Sequence, residues 1–386
     1  MQSLFPKLDQ DDFGPHFGLL SRQKIELMAR RGMIASTEEL DEKQLQPASL
    51  DLRLGARAYR VRASFLPGRD RTVMEQLRAF ARDEDAISLE HGAVLERGCV
   101  YVIPLIEHLR LPDSIAAFAN PKSSTGRLDI FTRLITDNSE VFDRVARAYE
   151  GPLYAEVSPR SFSVRVRKGS KLNQIRFRRL NSQQFERTGF AVDDRDLRER
   201  HRAAPLVDGE LNLRQGLVVR VALGDAIQPD GAIGYRAQKH ADIIDVDRAG
   251  GYRLDDYWDR IFARPDGRLI LDPGEFYILA SQERLHIPSD LAAEMVPIDP
   301  AMGEFRVHYA GFFDPGFGAS PDKRPGARAV LEVRSHEVPF VLEDGQIIGR
   351  LVYEKMAEAP HALYGEGEGS NYQGQGLKLS KHFVMD

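Results

Sequence analysis

The sequence predicts a mainly β protein made of two tandem antiparallel β barrels or sandwiches, each with a small helix at its edge. Three observations carry this expectation. Period-two alternation recurs: Leu50, Leu52 and Leu54 interleave with charged residues, and Phe162, Val164 and Val166 with Ser and Arg, the pattern of half-buried strands. The 386 residues include 32 Gly and 21 Pro, a density of turns that favours many short strands over long helices. The chain also repeats itself. LERGCVYVIPLIEHLRLPDSIAAF, from Leu95, aligns without gaps with LDPGEFYILASQERLHIPSDLAAE, from Leu271. YAEVSPRSFSVRVRKGSKLNQIRF, from Tyr154, aligns with VLEVRSHEVPFVLEDGQIIGRLVY, from Val330. Gly98 and Gly274, Pro112 and Pro288, Glu156 and Glu332, and Gly169 and Gly345 are all 176 positions apart (274 − 98 for the first pair). Four matches in one register indicate a tandem duplication.

The elements follow in chain order. A helix begins after Ser21, a capping residue, with Leu20 and Ile25 at staple positions and Gly32 at its end. Strands follow around residues 50–54 and through CVYVI, which makes Cys99 a buried, inert thiol. Lys168-Gly169 and Asp344-Gly345 lie between apolar alternations and signal hairpin turns. Residues 181–210 are charged, lack apolar periodicity and contain Pro205 and Gly209, a connector composition. A second short helix is expected over Asp255–Ala263. The expected domains are therefore residues 1–180 and 211–386, joined by 181–210.

Composition limits function. Lys and Arg number 53 against 58 Asp and Glu, a net charge of −5. That argues against a nucleic-acid coat or a polybasic membrane anchor. The single cysteine precludes an intrachain disulfide or a thiolate-rich zinc site and fits a cytoplasmic location. No stretch nears the ~20 apolar residues that span a bilayer, and the N-terminus has no apolar signal core. The 10 histidines form no HxH, HExxH or HxE…PCxxC pattern.

Three constellations are candidates for chemistry. PKSSTGR, Pro121 to Arg127, concentrates hydroxyls, a glycine and two cations. It suits phosphate oxygens, or is a polar turn with a surface Arg. Glu332, in AVLEV, and its counterpart Glu156, in YAEV, stand on the strand face opposite their apolar neighbours. On a solvent face they are ordinary; in a pocket, burial raises the pKa towards the range useful for proton transfer. FFDPGFG, Phe312 to Gly318, is a tight turn whose aromatic residues pack the core or stack on a base. Weaker is the basic run Arg160, Arg165, Arg167, Lys168, Lys171, Arg176, Arg178 and Arg179, with Phe162 and Phe177 between. The overall acidity favours a solvated face for it over a nucleic-acid surface.

In order, PASLDLRLG, PKSSTGR, FFDPGFG, VLEV, LEDGQIIGRLVYE and LYGEGEGSNYQGQGLKLSK resemble the motifs of the dCTP deaminase branch of the dCTP deaminase/dUTPase family. The double length is similar to the bacterial two-repeat form. The resemblance implies dUTPase-like barrels or distorted jelly rolls, and deamination of dCTP to dUTP and ammonia. It implies Glu332 as general base towards water, with Ser123 and Arg127 positioning water and triphosphate. Lys122, Ser124, Thr125 and Gly126 would complete the phosphate loop, with Mg²⁺ carried on the phosphates and no zinc. Lys122 stands where the family often has Arg, and Asn371 where it often has Lys. Asp314 and the backbone of Val330 and Leu331 would frame sugar and base, with Tyr364 and Gln375 closing over the nucleotide. The second copy has Asp299, Pro300 and Gly303 in place of Ser123, Ser124 and Arg127. The first has Asn138-Ser139-Glu140 in place of the Asp-Pro-Gly turn. One composite site follows, from the loop of copy one and the turn, strand and tail of copy two, within a chain or between chains. The resemblance also implies a homo-oligomer and feedback by dTTP. The alternatives are a bifunctional enzyme that continues to dUMP, or a non-catalytic nucleotide-binding β protein.

Overall fold

The computed structural model describes residue 13 and residues 16–80, 86–180, 191–224, 227–297, 305–308, 311–320, 326–335, 337–366 and 371–384. It is mainly β with few helices. In the first copy one sheet runs Gly18–Leu19, Lys171–Arg179, Ile115–Pro121, Arg144–Val145, with Leu50–Arg53 also on Lys171–Arg179. A second sheet runs Ile87–Ser88, Arg57–Val61, Val100–Arg110, Glu150–Pro159, Ile130–Thr136. The second copy has two sheets of similar order, with Leu217–Arg220 in the place of Leu50–Arg53: Leu217–Arg220, Ile347–Lys355, Leu291–Pro297, Phe312–Phe313, and Trp258–Phe262, Ala232–Ala237, Tyr277–Leu285, Ala327–Ser335, Phe305–His308. Every pairing within these four sheets is antiparallel.

The correspondence between the two halves includes side chains. Arg53 N–H and Nε donate to the two carboxylate oxygens of Glu107 at 2.9 and 2.7 Å; Arg220 makes the same two contacts to Glu283 at 2.9 and 2.7 Å. Each pair ties a short strand to the long strand of the other sheet. Glu107 is fully buried and Arg53 nearly so, whereas Arg220 is partly solvated. Arg53→Met strands a buried carboxylate and is expected to cost about 3 kcal/mol, with Arg220→Met costing less; urea unfolding of the two variants measures the difference.

The copies do not fold as separate beads. The core around Leu52, Ile103, Ile130 and Phe177 also contains Tyr235, Trp258, Phe276 and Ile278 from the second copy. A second core lies around Val219, Leu279, Leu331 and Leu351. Ile244–Asp245, from the second copy, pairs in parallel with Val164–Val166 of the first. Arg178 and Glu354, themselves 176 positions apart, form an ion pair between the copies.

Several expectations change. The first helix spans Arg22–Arg30, preceded by Ser21 and closed by Gly32 at φ 71°. The Ser21 hydroxyl, however, donates to Glu358 at 2.9 Å rather than capping the helix. The helix expected over 255–263 is instead a short 3₁₀ turn, Leu254–Asp256, then a strand, Trp258–Phe262, on the edge of Ala232–Ala237. Within 181–210, residues Asp194–Ala203 form a helix capped by Asp193, while 181–190 lie outside the described residues. The turns at Lys168-Gly169 and Asp344-Gly345 make no hairpins: the strands on either side belong to different sheets, so the chain crosses between layers there. In Leu50–Arg53 the charged residues are buried too, since Asp51 and Arg53 find partners inside. Cys99 is half-buried, just ahead of its strand. The basic run is not one solvated face: Arg176 is buried against Asp314, and Arg178 meets Glu354.

Candidate active site

The loop Lys122–Arg127 follows the strand Ile115–Pro121 and forms one helical turn, Ser123–Gly126. The N–H groups of Thr125 and Gly126 both donate to the Lys122 carbonyl, at 2.8 and 2.9 Å. Across from the loop lies the strand Ala327–Ser335, with Ile278 opposite Glu332. Alternation sends Val330 and Glu332 to the cavity side and Leu331 into the second core. Loop and strand belong to different copies of the same chain and face each other across a cavity of about 110 Å³.

Glu332 is buried, and burial pushes its carboxyl up to about 8, against the opposing charge of Arg127 and with some help from Asp129. Arg127 is buried as well. Its Nη1 donates to the Lys378 carbonyl at 2.7 Å, and its guanidinium carbon lies 3.8 Å from the ring centroid of Tyr372. Its buried Nε has no hydrogen-bond partner among the described residues. Asp314 accepts from Arg176 at 2.8 Å, yet burial still raises its carboxyl above the usual range.

The tail closes this arrangement. Arg328 N–H donates to the Gln375 carbonyl at 2.9 Å, and Gln375 Nε2 donates back to the Arg328 carbonyl at 3.0 Å. The tail is thereby stitched to the strand that carries Glu332. Its Ser380 hydroxyl then donates to the Ser124 carbonyl at 2.9 Å, reaching the loop of the other copy. Tyr364 packs on Phe317, with ring centroids 5.7 Å apart, and its hydroxyl accepts from Tyr372 N–H at 3.2 Å. Burial raises both phenols.

Most of the residues expected at the site meet here. Lys122, Ser123, Ser124, Gly126, Arg127, Asp314, Val330, Glu332, Tyr364, Asn371 and Gln375 line the cavity. Leu331 does not, and Thr125 lines only an adjoining cavity of about 640 Å³. Phe312, Phe313 and Phe317 also line the first cavity. The positions corresponding to the loop in copy two, Asp299, Pro300 and Gly303, lie outside the described residues.

Sequence reasoning missed Gln46, Asp51, Gln174, Tyr372 and Lys381, all on the cavity wall. Asp51 forms an ion pair with Lys122 through one oxygen, while the other, Oδ1, is buried without a partner among the described residues. Lys43, Lys122, Lys171 and Lys381 line the adjoining cavity together with Arg22 and the carboxylates Glu42, Asp51, Asp247 and Glu366, so charges of both signs meet at that end. Burial and the neighbouring Lys122 depress the Lys381 ammonium.

The counterpart of Glu332 is differently placed. Glu156 is buried, but Arg133 holds one of its oxygens through Nη2 at 2.6 Å and Nε at 3.1 Å. The same guanidinium lies 3.4 Å from the ring centroid of Phe142.

The chain is similar to known proteins along most of its length. Residues 16–181 match the model of the 2'-deoxycytidine 5'-triphosphate deaminase N-terminal domain, and residues 193–383 that of its C-terminal domain. A dCTP deaminase from Haloarcula marismortui is 31% identical over 182 residues, 44% of this chain and 89% of that protein. A dUMP-forming dCTP deaminase from Halobacterium salinarum is 31% identical over 126 residues, 32% of this chain; the match spans 60% of that relative's length. The crystal structure of a dCTP deaminase from Agrobacterium tumefaciens superposes with a TM-score of 0.83 at 50% identity, covering 89% of this chain and all of that one. Both halves of the family's domain pair are matched in order along one chain, which therefore belongs to the 2'-deoxycytidine 5'-triphosphate deaminase family.

Proposed function

We propose that the chain hydrolyses the exocyclic C4–N bond of dCTP to give dUTP and ammonia. The observation that carries this reading is the buried carboxylate of Glu332 facing Ser123 and Arg127 across one cavity. The deaminase names of the relatives support it. Ionised Glu332 takes a proton from water, which adds to C4. The ring nitrogen gains a proton, the exocyclic amine gains another, and ammonia leaves as the C4 carbonyl forms. Ser123 and Arg127 hold the water and the developing charge, and Asp314 faces the sugar. Tyr372, stacked on Arg127, excludes solvent. The four lysines of the adjoining cavity receive the triphosphate, and Asn371 lines the boundary between the two cavities. Mg²⁺ would arrive on the phosphates. Asp51, whose Oδ1 has no partner among the described residues, would be the carboxylate at that end able to accept from the hydrated ion. On this reading copy one, within residues 1–180, supplies the loop, and copy two, within 211–386, supplies the strand, turn and tail.

A second reading is favoured by the dUMP-forming names of several relatives: continued hydrolysis of dUTP at the same site. Ammonia and pyrophosphate measured with dCTP, then with dUTP, separate the two. Deamination alone gives stoichiometric ammonia and no pyrophosphate, and the bifunctional reaction gives both in equal amounts. Binding of dCTP without ammonia release sinks both.

A further inference from the structure

We propose that the buried Asp129–Arg334 ion pair positions the reacting groups, fixing the loop that carries Arg127 against the strand that carries Glu332. Each partner sits two residues beyond the group it serves, Asp129 after Arg127 and Arg334 after Glu332. Along a strand that spacing returns to the same face, so Glu332 and Arg334 look across at the same loop.

Asp129 is held from every side. It ends the helical turn in the left-handed region, φ 55°. Its N–H donates to the Gly126 carbonyl at 2.8 Å, and its carbonyl accepts from Arg160 N–H at 2.9 Å. Its fully buried carboxylate accepts from the Ser161 hydroxyl at 2.6 Å. Oδ1 accepts from Arg334 Nε at 3.2 Å, and Oδ2 from Nη2. Arg334 reaches further, donating through Nη1 to the Gly274 carbonyl in the turn ahead of the Tyr277–Leu285 strand. The two-toothed contact fixes direction as well as distance, which a lysine cannot do.

A buried pair of this kind adds little net stability over an uncharged pair of similar shape. What it supplies is geometry, and an error of about 1 Å between reacting groups costs on the order of 100-fold in rate. The copies stay joined without it, because Arg176–Asp314 and Arg178–Glu354 also bridge them. Loss of the Asp129–Arg334 pair therefore loosens the loop against the catalytic strand rather than the whole interface.

The inference rests on the deaminase reading, and its test keeps the two apart. Ammonia release from dCTP, dCTP binding and thermal unfolding are measured for wild type, Arg334→Gln, Arg334→Lys and the double variant Asp129→Asn/Arg334→Gln. The double variant leaves no unpaired buried charge and is expected to melt near the wild type. Its kcat is expected to fall about 100-fold with KM and dCTP affinity little changed, and Arg334→Lys to recover part of the rate. A double variant with wild-type stability and wild-type kcat overturns the positioning role, as does a loss confined to KM. A wild-type protein that releases no ammonia from dCTP overturns the deaminase reading and this inference with it.

Discussion

Glu332→Gln is expected to reduce ammonia release from dCTP by about 10²–10⁴-fold, the span of a lost general base, with the fold intact. Glu156→Gln is expected to change turnover little, because Arg133 already neutralises that carboxylate. Retained turnover in Glu332→Gln, with its loss in Glu156→Gln, overturns the assignment. The raised carboxyl of Glu332 also sets a pH dependence. The ionised form is the base, so kcat/KM is expected to climb with pH towards about 8 and then level. The stability effect has the opposite slope. Between its ordinary value of 4.5 and about 8, folded Glu332 keeps a proton that the unfolded chain has released. Folding takes up that proton, so this site's contribution to stability falls as pH rises through the window. Glu332→Gln removes the dependence, and its melting temperature should gain on the wild type between about pH 5 and pH 8. On the proposed mechanism, the site trades stability for a base of useful strength.

The second large effect is expected from Arg127→Met. The guanidinium opposes the upward shift of Glu332, so its loss raises that carboxyl further and moves the rising limb of the pH–rate profile to higher pH. It also removes the contacts to the Lys378 carbonyl and the Tyr372 ring that hold the tail down. A fall in kcat of about 10²–10³-fold is expected, the loss typical of a preorganised charge-stabilising group. A pH–rate profile displaced to lower pH, or unchanged, contradicts the role given to Arg127.

The likeness of the two halves was legible because it lives in local pattern. Ile115–Pro121 and Leu291–Pro297 begin 176 positions apart (291 − 115), as the glycines and prolines of the sequence do. The loop, the Asp-Pro-Gly turn and the catalytic strand were legible for the same reason. Residues 255–263 were misread because Tyr257, Trp258 and Ile261 are spaced as on a helix face, yet the edge of Ala232–Ala237 offers Trp258–Phe262 a strand partner. Asp51 was hidden because alternation assigns it to solvent; only its distant partner Lys122 explains a buried carboxylate there. Arg176 and Arg178 were hidden likewise by partners more than a hundred residues away. Leu331 is a different case. The alternation that puts Glu332 on one face puts the Leu331 side chain on the other, in the second core, and leaves only its backbone to face the site.

The Arg133–Glu156 contact has a consequence for saturation behaviour. An ancestor with two equivalent halves would hold two equivalent sites able to influence one another. In this chain the twin carboxylate is already engaged by its own arginine, with Phe142 packed over it. On the proposed reading, the expected stoichiometry is one nucleotide per polypeptide. Any sigmoidal dependence on dCTP must then arise between polypeptides, and its Hill coefficient would report their assembly rather than communication between the halves.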